Sequence, residues 1–423
     1  MKQSKYNIYW NEGSRFIVYN QLTGSTLELN QDLYTCLKEN CIDELDNTIA
    51  QELFKAGILC HKDLHEEHII LARNREQRYG NNIIRLTIMP TIDCNFRCWY
   101  CYENHTESVM SDSTTNAILL FAKKLLTKKR SSQFQLDWFG GEPLLYFNSI
   151  IYPLSLKIKK LCLNHHVTFN NSMTSNGYMI NKDMVEKFKD IDLRSFQITL
   201  DGEEKYHNKT RFTKDDHNTY SKIVNNIEFL CHNIDNIRMV VRINYTVQNI
   251  KTIEKIADTF NQDVRPSISI SPHVVWQHLK RIPNLSETIE AKMKIFREKG
   301  YNVKDYISNP KKCIGCYTEN MLQFVVNYDA QIYKCTARDF SEQYSIGKLE
   351  VNGKFTPTPL FFKYYSAKSA VEREECLQCN LLPSCRHSCV QKIMEGEKFI
   401  CRRNDIEASI YKKIESIIKN KTD

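Results

Sequence analysis

The sequence predicts an α/β protein in which parallel strands alternate with helices. The chain has 423 residues, of which 42% are hydrophobic and 26% are charged, a composition that supports two or three folded domains and argues against wholesale disorder. From residue 83 to residue 271, six strand-like segments are separated by helix-like segments, the pattern of consecutive βαβ units. Such units build an open doubly wound sheet or an incomplete barrel, and both place functional sites at the carboxyl ends of the strands.

The strands are predicted from apolar runs with strand-like alternation, and the helices from polar caps followed by helical spacing of apolar residues. The strands are expected at 83–89, 133–140, 166–174, 195–200, 238–246 and 265–271. The main helices between them are expected at 111–130, 147–163, 181–190, 218–232 and 250–260.

Three further regions flank this predicted core of residues 83–272. Residues 1–82 contain short alternating strands and two amphipathic helical stretches, which predict a separate small β/α module. Residues 273–312 have prolines and a glycine between polar runs and are expected to form a connector. Residues 313–423 are rich in cysteines and turns and end in a Lys-rich segment with helical spacing.

The charge pattern gives no indication of a nucleic-acid or membrane partner. The formal net charge is +8, and the excess is spread along the chain instead of forming a basic stripe. No apolar run reaches the length of about 18 residues that a membrane span needs. The first ten residues lack the apolar region of a signal peptide, so a cytoplasmic location is expected.

The positions of the sixteen cysteines point to metal binding. A disulfide framework is not expected in a cytoplasmic chain, because thiols there are kept reduced. Five cysteines are scattered and are expected to be small buried hydrophobic residues, namely Cys36, Cys41, Cys60, Cys162 and Cys231. Eleven lie in tight groups, as metal ligands do: Cys94, Cys98, Cys101, Cys313, Cys316, Cys335, Cys376, Cys379, Cys385, Cys389 and Cys401.

The first group, Cys94-x3-Cys98-x2-Cys101, directly follows the first predicted core strand. Three thiolates hold three irons of a four-iron cluster and leave the fourth iron open to a ligand. His105 lies four residues after Cys101, which keeps a structural zinc site as an alternative. The spacing in this context resembles that of the radical S-adenosylmethionine (SAM) superfamily, and the resemblance covers about residues 83–401.

The segment Trp138-Phe-Gly-Gly-Glu-Pro143 ends the second predicted core strand. Two glycines allow close approach to the backbone, and a carboxylate beside them accepts hydrogen bonds from an ammonium group. The resemblance implies that Gly140, Gly141 and Glu142 bind the amino group of SAM. In isolation the same residues are more often an ordinary turn.

The segment Thr199-Leu-Asp-Gly202, with His207 and Arg211 after it, resembles a pattern of anaerobic sulfatase-maturing enzymes, with Thr in place of Ser. The resemblance implies that Thr199 and Arg211 contact the carboxylate and ribose of SAM. Two interpretations of His207 stay open: a structural histidine with its hydrogen bonds satisfied, at the surface or in the core, or a functional histidine. Three more residues are implied as SAM contacts, Tyr100 for the adenine and Ser175 and Asn176 for the ribose.

The remaining cysteines resemble the SPASM extension, which carries two auxiliary four-iron clusters. Ala330 stands where that family usually has Gly, so the local turn is in question. The spacing by itself also suits two zinc ribbons. The resemblance implies one cluster on Cys313, Cys316, Cys335 and Cys389, and another on Cys376, Cys379, Cys385 and Cys401.

The resemblance implies a partial (β/α)6 TIM-like barrel with a C-terminal SPASM domain, and it makes the N-terminal module a winged-helix-like element that recognises a peptide. It further implies that an electron from the reduced cluster cleaves SAM to methionine and a 5′-deoxyadenosyl radical, and that this radical takes hydrogen from a ribosomally made precursor peptide. The expected product is a thioether or carbon–carbon cross-link, and the expected electron donor is a flavodoxin or ferredoxin. The N-terminal module is alternatively a packing extension.

Two alternative functions stay open. A sulfatase-maturing enzyme would form formylglycine, but such enzymes usually begin close to their cysteine motif and place an Asp after the third SPASM cysteine. Here 93 residues precede Cys94, Thr336 follows Cys335, and Asp339 is shifted. The other alternative is a non-enzymatic metal-binding scaffold.

Overall fold

The computed structural model describes residues 1–80, 82–129, 131–275, 285–303, 315–337, 340–385 and 388–419. These residues divide into two compact units. The first unit contains the described residues of 1–80, 305–321 and 363–423, and the second those of 81–304 and 322–362. Cys313 and Asp339 lie outside the described residues.

The described amino-terminal part of the first unit contains five strands and three α-helices. The strands at Asn7–Glu12, Arg15–Asn20 and Thr26–Leu29 pair in that order, and the strand at Lys2–Gln3 pairs with that at Leu59–Cys60. The helix at Glu66–Tyr79 has no counterpart in the sequence prediction. The elements are β1 (Lys2–Gln3), β2 (Asn7–Glu12), β3 (Arg15–Asn20), β4 (Thr26–Leu29), α1 (Gln31–Glu39), α2 (Asn47–Lys55), β5 (Leu59–Cys60) and α3 (Glu66–Tyr79).

The second unit is built on an eleven-stranded sheet. Six neighbouring strands, β6 to β11, are parallel and follow the chain order, as predicted for consecutive βαβ units. These strands are β6 (Ile83–Ile88), β7 (Gln133–Trp138), β8 (Thr168–Ser175), β9 (Leu193–Leu200), β10 (Arg238–Tyr245) and β11 (Ile268–Val274). The helices between them are α4 (Asp112–Lys128), α5 (Tyr152–Asn164), α6 (Lys182–Asp190), α7 (Glu204–Thr210) and α8 (Thr219–Asn233).

Most of the predicted core elements are confirmed, and the differences are local. The last core strand begins at Ile268 after a 3-10 turn at Arg265–Ser267, and the short helix at Glu204–Thr210 was not predicted. A π-helical turn at Phe147–Ile151 precedes α5, so the α-helix begins five residues later than predicted. The segment Ile250–Asp258 is a 3-10 helix between β10 and β11. The large parallel sheet agrees with the predicted α/β class.

The two faces of the β6–β11 sheet differ in polarity because side chains alternate along a strand. One face is apolar and fully buried, as at Ile84, Leu86 and Leu136. The other face, called the polar face below, is half-buried, and its side chains include Arg85, Gln135, Asp137, Ser172, Gln197, Arg242, Ser271 and His273. The polar face therefore carries a row of hydrogen-bonding side chains across neighbouring strands.

The remaining strands extend this sheet on both sides. β12 (Asn302–Val303) pairs with β11, and β13 (Gln323–Val326) runs parallel to β6. The antiparallel strands β14 (Gln331–Tyr333), β15 (Gly347–Leu349) and β16 (Phe355–Pro357) follow β13. Ala330, in the β13–β14 turn, has φ +68°, which explains why a glycine suits that position. Helices α9 (Leu285–Glu298) and α10 (Pro359–Ser366) complete this part of the chain.

The carboxyl-terminal part of the first unit packs on its amino-terminal part. Ile8, Ile17 and Tyr19 form one buried apolar cluster with Ile410 and Ile414. The helices are α11 (Glu374–Leu377), α12 (Val390–Met394) and α13 (Arg403–Lys419). None of the helices within the described ranges is long and apolar enough to cross a bilayer.

Candidate active site

The three cysteines of the first group lie in the loop that follows β6, residues 89–103, called the cluster loop below. Cys94 is buried, Cys98 is half-buried and Cys101 is exposed. Burial raises the pKa of all three thiols, to about 11 for Cys101. Iron binding therefore has to displace their protons.

Gly140 and Gly141 follow β7 and touch the cluster loop. A Cβ on Gly140 would lie 2.2 Å from the carbonyl oxygen of Thr91, and one on Gly141 would lie 2.1 Å from that of Asp93. The Gly141 amide donates to Thr91 O at 3.2 Å, and the Glu142 amide donates to Asp93 O at 2.8 Å. The glycines therefore admit the backbone of the cluster loop, where the sequence suggested the approach of a ligand.

The Glu142 carboxylate is fully buried and ties two strand ends together. Its Oε1 accepts from the Leu144 amide at 3.0 Å and from Ser175 Oγ at 2.8 Å, while Oε2 accepts from the Asn176 amide at 2.7 Å. Burial raises the pKa of Glu142, and these three hydrogen bonds oppose that shift. A carboxylate has about four acceptor positions, so one position on Oε2 is left for an ammonium group.

Ser175 and Asn176 brace the cluster loop from the end of β8. Ser175 Oγ also accepts from the Gly177 amide at 2.9 Å. Asn176 Nδ2 donates to Asn95 Oδ1 at 2.7 Å and lies 4.0 Å from the Sγ of Cys94. Much of their hydrogen-bonding capacity is used within the protein, and contact with a ribose stays a prediction.

Tyr100 is the centre of a buried hydrogen-bond network. Its hydroxyl donates to Asp201 Oδ1 at 2.9 Å and accepts from Arg211 Nη1 at 2.7 Å and from Asn244 Nδ2 at 3.1 Å. The other oxygen of Asp201 accepts from Thr210 Oγ1 at 3.0 Å. The network joins the cluster loop to the ends of β9 and β10.

Arg211 keeps an unpaired donor beside the cluster loop. It is 8% exposed, and its Nε has no hydrogen-bond partner in the part of the chain that the structure describes. The guanidinium carbon lies 5.6 Å from the centre of the Phe96 ring. A buried cation with a free N–H group fits an anionic ligand such as a carboxylate.

Thr199 and His207 differ in their surroundings. Thr199 is buried near the end of β9 and lies opposite Arg242 in register. His207 is fully buried, and its Nδ1 accepts from the Asp201 amide at 3.2 Å. Burial holds the pKa of His207 well below its usual value, so it is a neutral core histidine that supports the Asp201 turn.

Sequence reasoning missed three residues around the cluster loop. Asn244 ends a strand, so the strand-end rule was the signal that pointed to it. Tyr102 donates to the carbonyl oxygen of Thr336 at 3.1 Å, which joins the cluster loop to the residue after Cys335. Glu103 is buried, its Oε2 has no partner among the described residues, and burial raises its pKa to about 8.

His105, the candidate fourth zinc ligand, lies close to the cluster loop. Its Nδ1 is 3.2 Å from the carbonyl oxygen of Ile92. Within the described residues, no three His, Cys, Asp or Glu side chains converge on a position for a single metal ion. A four-iron cluster spreads its ligands more widely than one ion does, because each thiolate binds a different iron.

Four of the remaining cysteines share a cavity of about 390 Å³ in the first unit. Cys379 Sγ accepts from the Leu381 amide at 3.4 Å and from Arg403 Nη1 at 3.7 Å. The cavity-lining cysteines are Cys376, Cys379, Cys385 and Cys401. Of the other predicted set, Cys316 and Cys389 belong to the first unit and Cys335 to the second. Both four-cysteine ligand sets stay predictions.

A comparison with protein families identifies the central part of the chain. Residues 88–262 match the Radical SAM superfamily. These residues are a radical SAM domain. Membership implies SAM and one four-iron cluster, for which the three thiols, the free Nε of Arg211 and the open position on Glu142 are suitable partners.

The similarity to two curated relatives covers more of this chain than the radical SAM domain alone. The chain is 25% identical to the cysteine-type anaerobic sulfatase-maturating enzyme of Clostridium novyi, over 70% of this chain and 85% of that protein. It is 22% identical to the radical SAM cyclopropyl synthase TigE of Paramaledivibacter caminithermalis, over 62% of this chain and 59% of that protein. The chain also spans only 38% and 39% of two uncharacterised relatives from Methanocaldococcus jannaschii and Synechocystis.

Two solved structures share the fold. Native anSMEcpe with bound AdoMet and Cp18Cys peptide superposes with a TM-score of 0.59 at 15% identity, over 80% of this chain and 99% of that one. Streptococcus suis SuiB bound to precursor peptide SuiA superposes with a TM-score of 0.52 at 15% identity, over 94% of this chain and 97% of that one. At this level of identity the similarity establishes the fold alone.

Proposed function

We propose that the protein is a radical SAM maturase that removes a hydrogen atom from a residue of a ribosomally made peptide and forms a thioether or carbon–carbon cross-link. One observation carries the proposal: Glu142, Asn176, Tyr100 and Arg211 hold a three-cysteine loop at the carboxyl ends of parallel strands. Such a loop leaves one iron open, and cleavage of SAM requires an open iron.

The proposed roles of the chain's own residues follow from their free donors and acceptors. Cys94, Cys98 and Cys101 hold the iron, Glu142 Oε2 accepts from the SAM ammonium group, and Arg211 Nε donates to its carboxylate. Gly140 and Gly141 are proposed to face the SAM amino group, and Thr199 its carboxylate or ribose, as the sequence resemblance implies. When bound, the cluster and SAM supply the carbon radical that takes hydrogen from the substrate.

The polar face is the proposed binding site for the peptide segment that reacts. It lies on the same side of the sheet as Asn244, whose Nδ2 donates to Tyr100 of the cluster loop. A peptide offers backbone and side-chain groups that pair with the Gln, Ser and Arg side chains there. Holding one C–H bond near the radical carbon and excluding water is the task left to the protein.

The remaining parts of the proposal concern electron transfer and peptide recognition. Two auxiliary clusters would occupy the other eight grouped cysteines, and a flavodoxin or ferredoxin in the cytoplasm would supply electrons. Among the described residues, the outer strands β2 and β4 of the three-stranded sheet pair with no strand beyond β3, and a peptide strand would add at such an edge, as in other peptide-binding sheets. SuiB was solved with a precursor peptide, which supports a peptide substrate for this fold.

Formylglycine formation is the second candidate, because the Clostridium novyi relative matches 85% of its length. The position after Cys335 argues against it. Thr336 stands there, and its carbonyl oxygen accepts from Tyr102. A threonine cannot act as the carboxylate base that an Asp would supply at this position.

The test uses anaerobically reconstituted protein with SAM and a reductant. One sample receives a small Cys-containing peptide encoded beside the gene, and another receives a Cys-containing sulfatase peptide. We expect the first peptide to lose two hydrogens and gain a cross-link by tandem mass spectrometry, and the Cys98→Ala protein to leave it unchanged. Formylglycine in the second peptide alone would favour the other candidate, while absence of 5′-deoxyadenosine from both samples would favour a scaffold.

A further inference from the structure

We propose that Arg242 binds a carboxylate of the substrate peptide close to the cluster loop and thereby selects acidic peptides. This inference rests on the proposed function, since it assigns part of the substrate to the polar face. Arg242 is not one of the proposed cluster or SAM ligands. It lies on β10, next to the carboxyl end of β9.

Arg242 occupies the part of the polar face nearest to the cluster loop. It lies opposite Thr199 on β9 and Ser271 on β11. Its Nε donates to Asn244 Oδ1 at 2.9 Å, and Asn244 Nδ2 donates in turn to the Tyr100 hydroxyl at 3.1 Å. Two hydrogen bonds therefore connect the guanidinium to the cluster loop and fix its orientation.

The terminal nitrogens of Arg242 have no partner among the described residues. The bond from Nε to Asn244 is its one hydrogen bond there, and no ion pair includes it. Burial lowers its pKa, because water is removed while no carboxylate is close enough to compensate. Asp201 is the acidic neighbour, and its oxygens already accept from Tyr100 and Thr210.

His273 adds a neutral donor beside the guanidinium. It lies opposite Asn244 in register, and its Nε2 is 3.1 Å from Ser271 Oγ. Burial and the charge of Arg242 lower the pKa of His273 to about 4. At neutral pH, Arg242 is therefore the cation on this part of the polar face.

The charges around the cluster loop leave Arg242 available for the substrate. Arg211 contacts Tyr100 and lies beside Asp201 and Cys98, so it belongs to the cofactor side. Bound SAM has one carboxylate, which Arg211 is placed to take. A second carboxylate, from a peptide side chain or a peptide C-terminus, matches the planar fork of Arg242.

The experiment measures which peptides the SAM-loaded protein binds. A synthetic library of acetylated octapeptides is prepared once with free carboxyl ends and once as C-terminal amides. Peptides retained by the wild type and by Arg242→Gln are identified by mass spectrometry. Arg85→Gln is the matched control, because Arg85 lies on the same polar face but pairs with Asp137 at 3.9 Å.

We expect the wild type and Arg85→Gln to enrich Asp- or Glu-containing or free-acid peptides about tenfold over neutral ones, and Arg242→Gln to lose that enrichment. Enrichment among amides assigns a side-chain carboxylate, and enrichment confined to free acids assigns the C-terminus. Arg242→Lys, which keeps the charge, should retain part of the preference. Its iron content and that of Arg242→Gln verify that both variants fold.

Three results would overturn the assignment: no acidic enrichment by the wild type, enrichment that persists in Arg242→Gln, or loss of SAM binding by Arg242→Gln in equilibrium dialysis. The last result would mean that Arg242 holds the carboxylate of SAM. Selective binding without any chemical change in the retained peptides would instead contradict the proposed function and leave the carboxylate site intact.

Discussion

At the scale of single residues, Tyr100 is the side chain on which most of the site depends. Phe in its place removes one donor to Asp201 and the acceptor for Arg211 and Asn244, all of them buried. We expect Tyr100→Phe to lower the free energy of unfolding by about 3 kcal/mol, since buried groups left without partners are costly. Denaturant unfolding of the anaerobic protein measures this loss.

Tyr220 provides the matched control for that substitution. It is also buried, but its hydroxyl has one hydrogen-bond partner among the described residues, Thr259 Oγ1 at 2.7 Å. Tyr220→Phe should cost only about 1 kcal/mol. Equal losses for the two variants would contradict the central role of the Tyr100 network.

His273 should make stability depend on pH. Its pKa is lowered from 6.5 to about 4 by burial and by Arg242, so between these values the unfolded chain binds more protons than the folded one. Stability therefore rises with pH across this window and is lost as pH falls through it. The group is partly exposed, which reduces the expected effect to about 2 kcal/mol.

The comparison of the wild type with His273→Gln isolates this effect from acid damage elsewhere in the protein. The difference in free energy of unfolding between the two proteins should shift in favour of the wild type as pH increases from 4.5 to 7. A difference that stays constant would mean that His273 titrates normally and is not shielded beside Arg242.

At the scale of elements, the contact between the cluster loop and the β7 end depends on Gly141. A Cβ there would meet the carbonyl oxygens of Asp93 at 2.1 Å and Ile92 at 2.5 Å, and backbone cannot move aside as a side chain does. Gly141→Ala should cost about 3 kcal/mol and reduce iron retention. Gly300→Ala is the control, because Gly300 has φ +87° but open space around it, and should cost about 1 kcal/mol with normal iron content.

The β13–β14 turn should be improved by one substitution. Ala330 has φ +68°, a conformation that an alanine side chain disfavours. We expect Ala330→Gly to raise the free energy of unfolding by about 1 kcal/mol, measured by denaturant unfolding. A destabilised variant would show that the methyl group contributes more by packing than it costs in backbone strain.

The core strands were predictable because each is a compact apolar run with clear boundaries. Helix α3 was not, since its buried face includes Glu66, Asn74 and Arg78 in place of apolar residues. Arg78 pairs there with Glu372 at 3.2 Å and donates to the carbonyl oxygen of Ala367 at 2.7 Å. Local periodicity cannot reveal such partners, because they come from distant parts of the chain.

In the candidate site, too, local sequence signals were predictable and positions set by distant parts of the chain were not. Cysteine spacing is a local signal and predicted the three-cysteine loop after β6, whereas Asn244 and Arg242 acquire their positions from the pairing of β9, β10 and β11. The Gly-Gly pair was recognised, but the structure shows that the approaching backbone is that of Thr91 and Asp93.

At the scale of the whole molecule, the amino-terminal module cannot be removed without disturbing the rest of the first unit. Residues 1–80 share a buried apolar cluster with α13, in which Ile8 and Tyr19 pack with Ile410 and Ile414. Removing the amino-terminal module would expose that cluster to water. Substitutions on the open edges of β2 and β4 therefore probe peptide recognition more cleanly than truncation.

The most direct measurement of the central claim is electron paramagnetic resonance of the reduced protein with and without SAM, compared with Cys98→Ala. If Cys94, Cys98 and Cys101 hold a cluster with one open iron, SAM changes the wild-type spectrum and leaves that of Cys98→Ala unchanged. A wild-type spectrum that is indifferent to SAM would contradict the account.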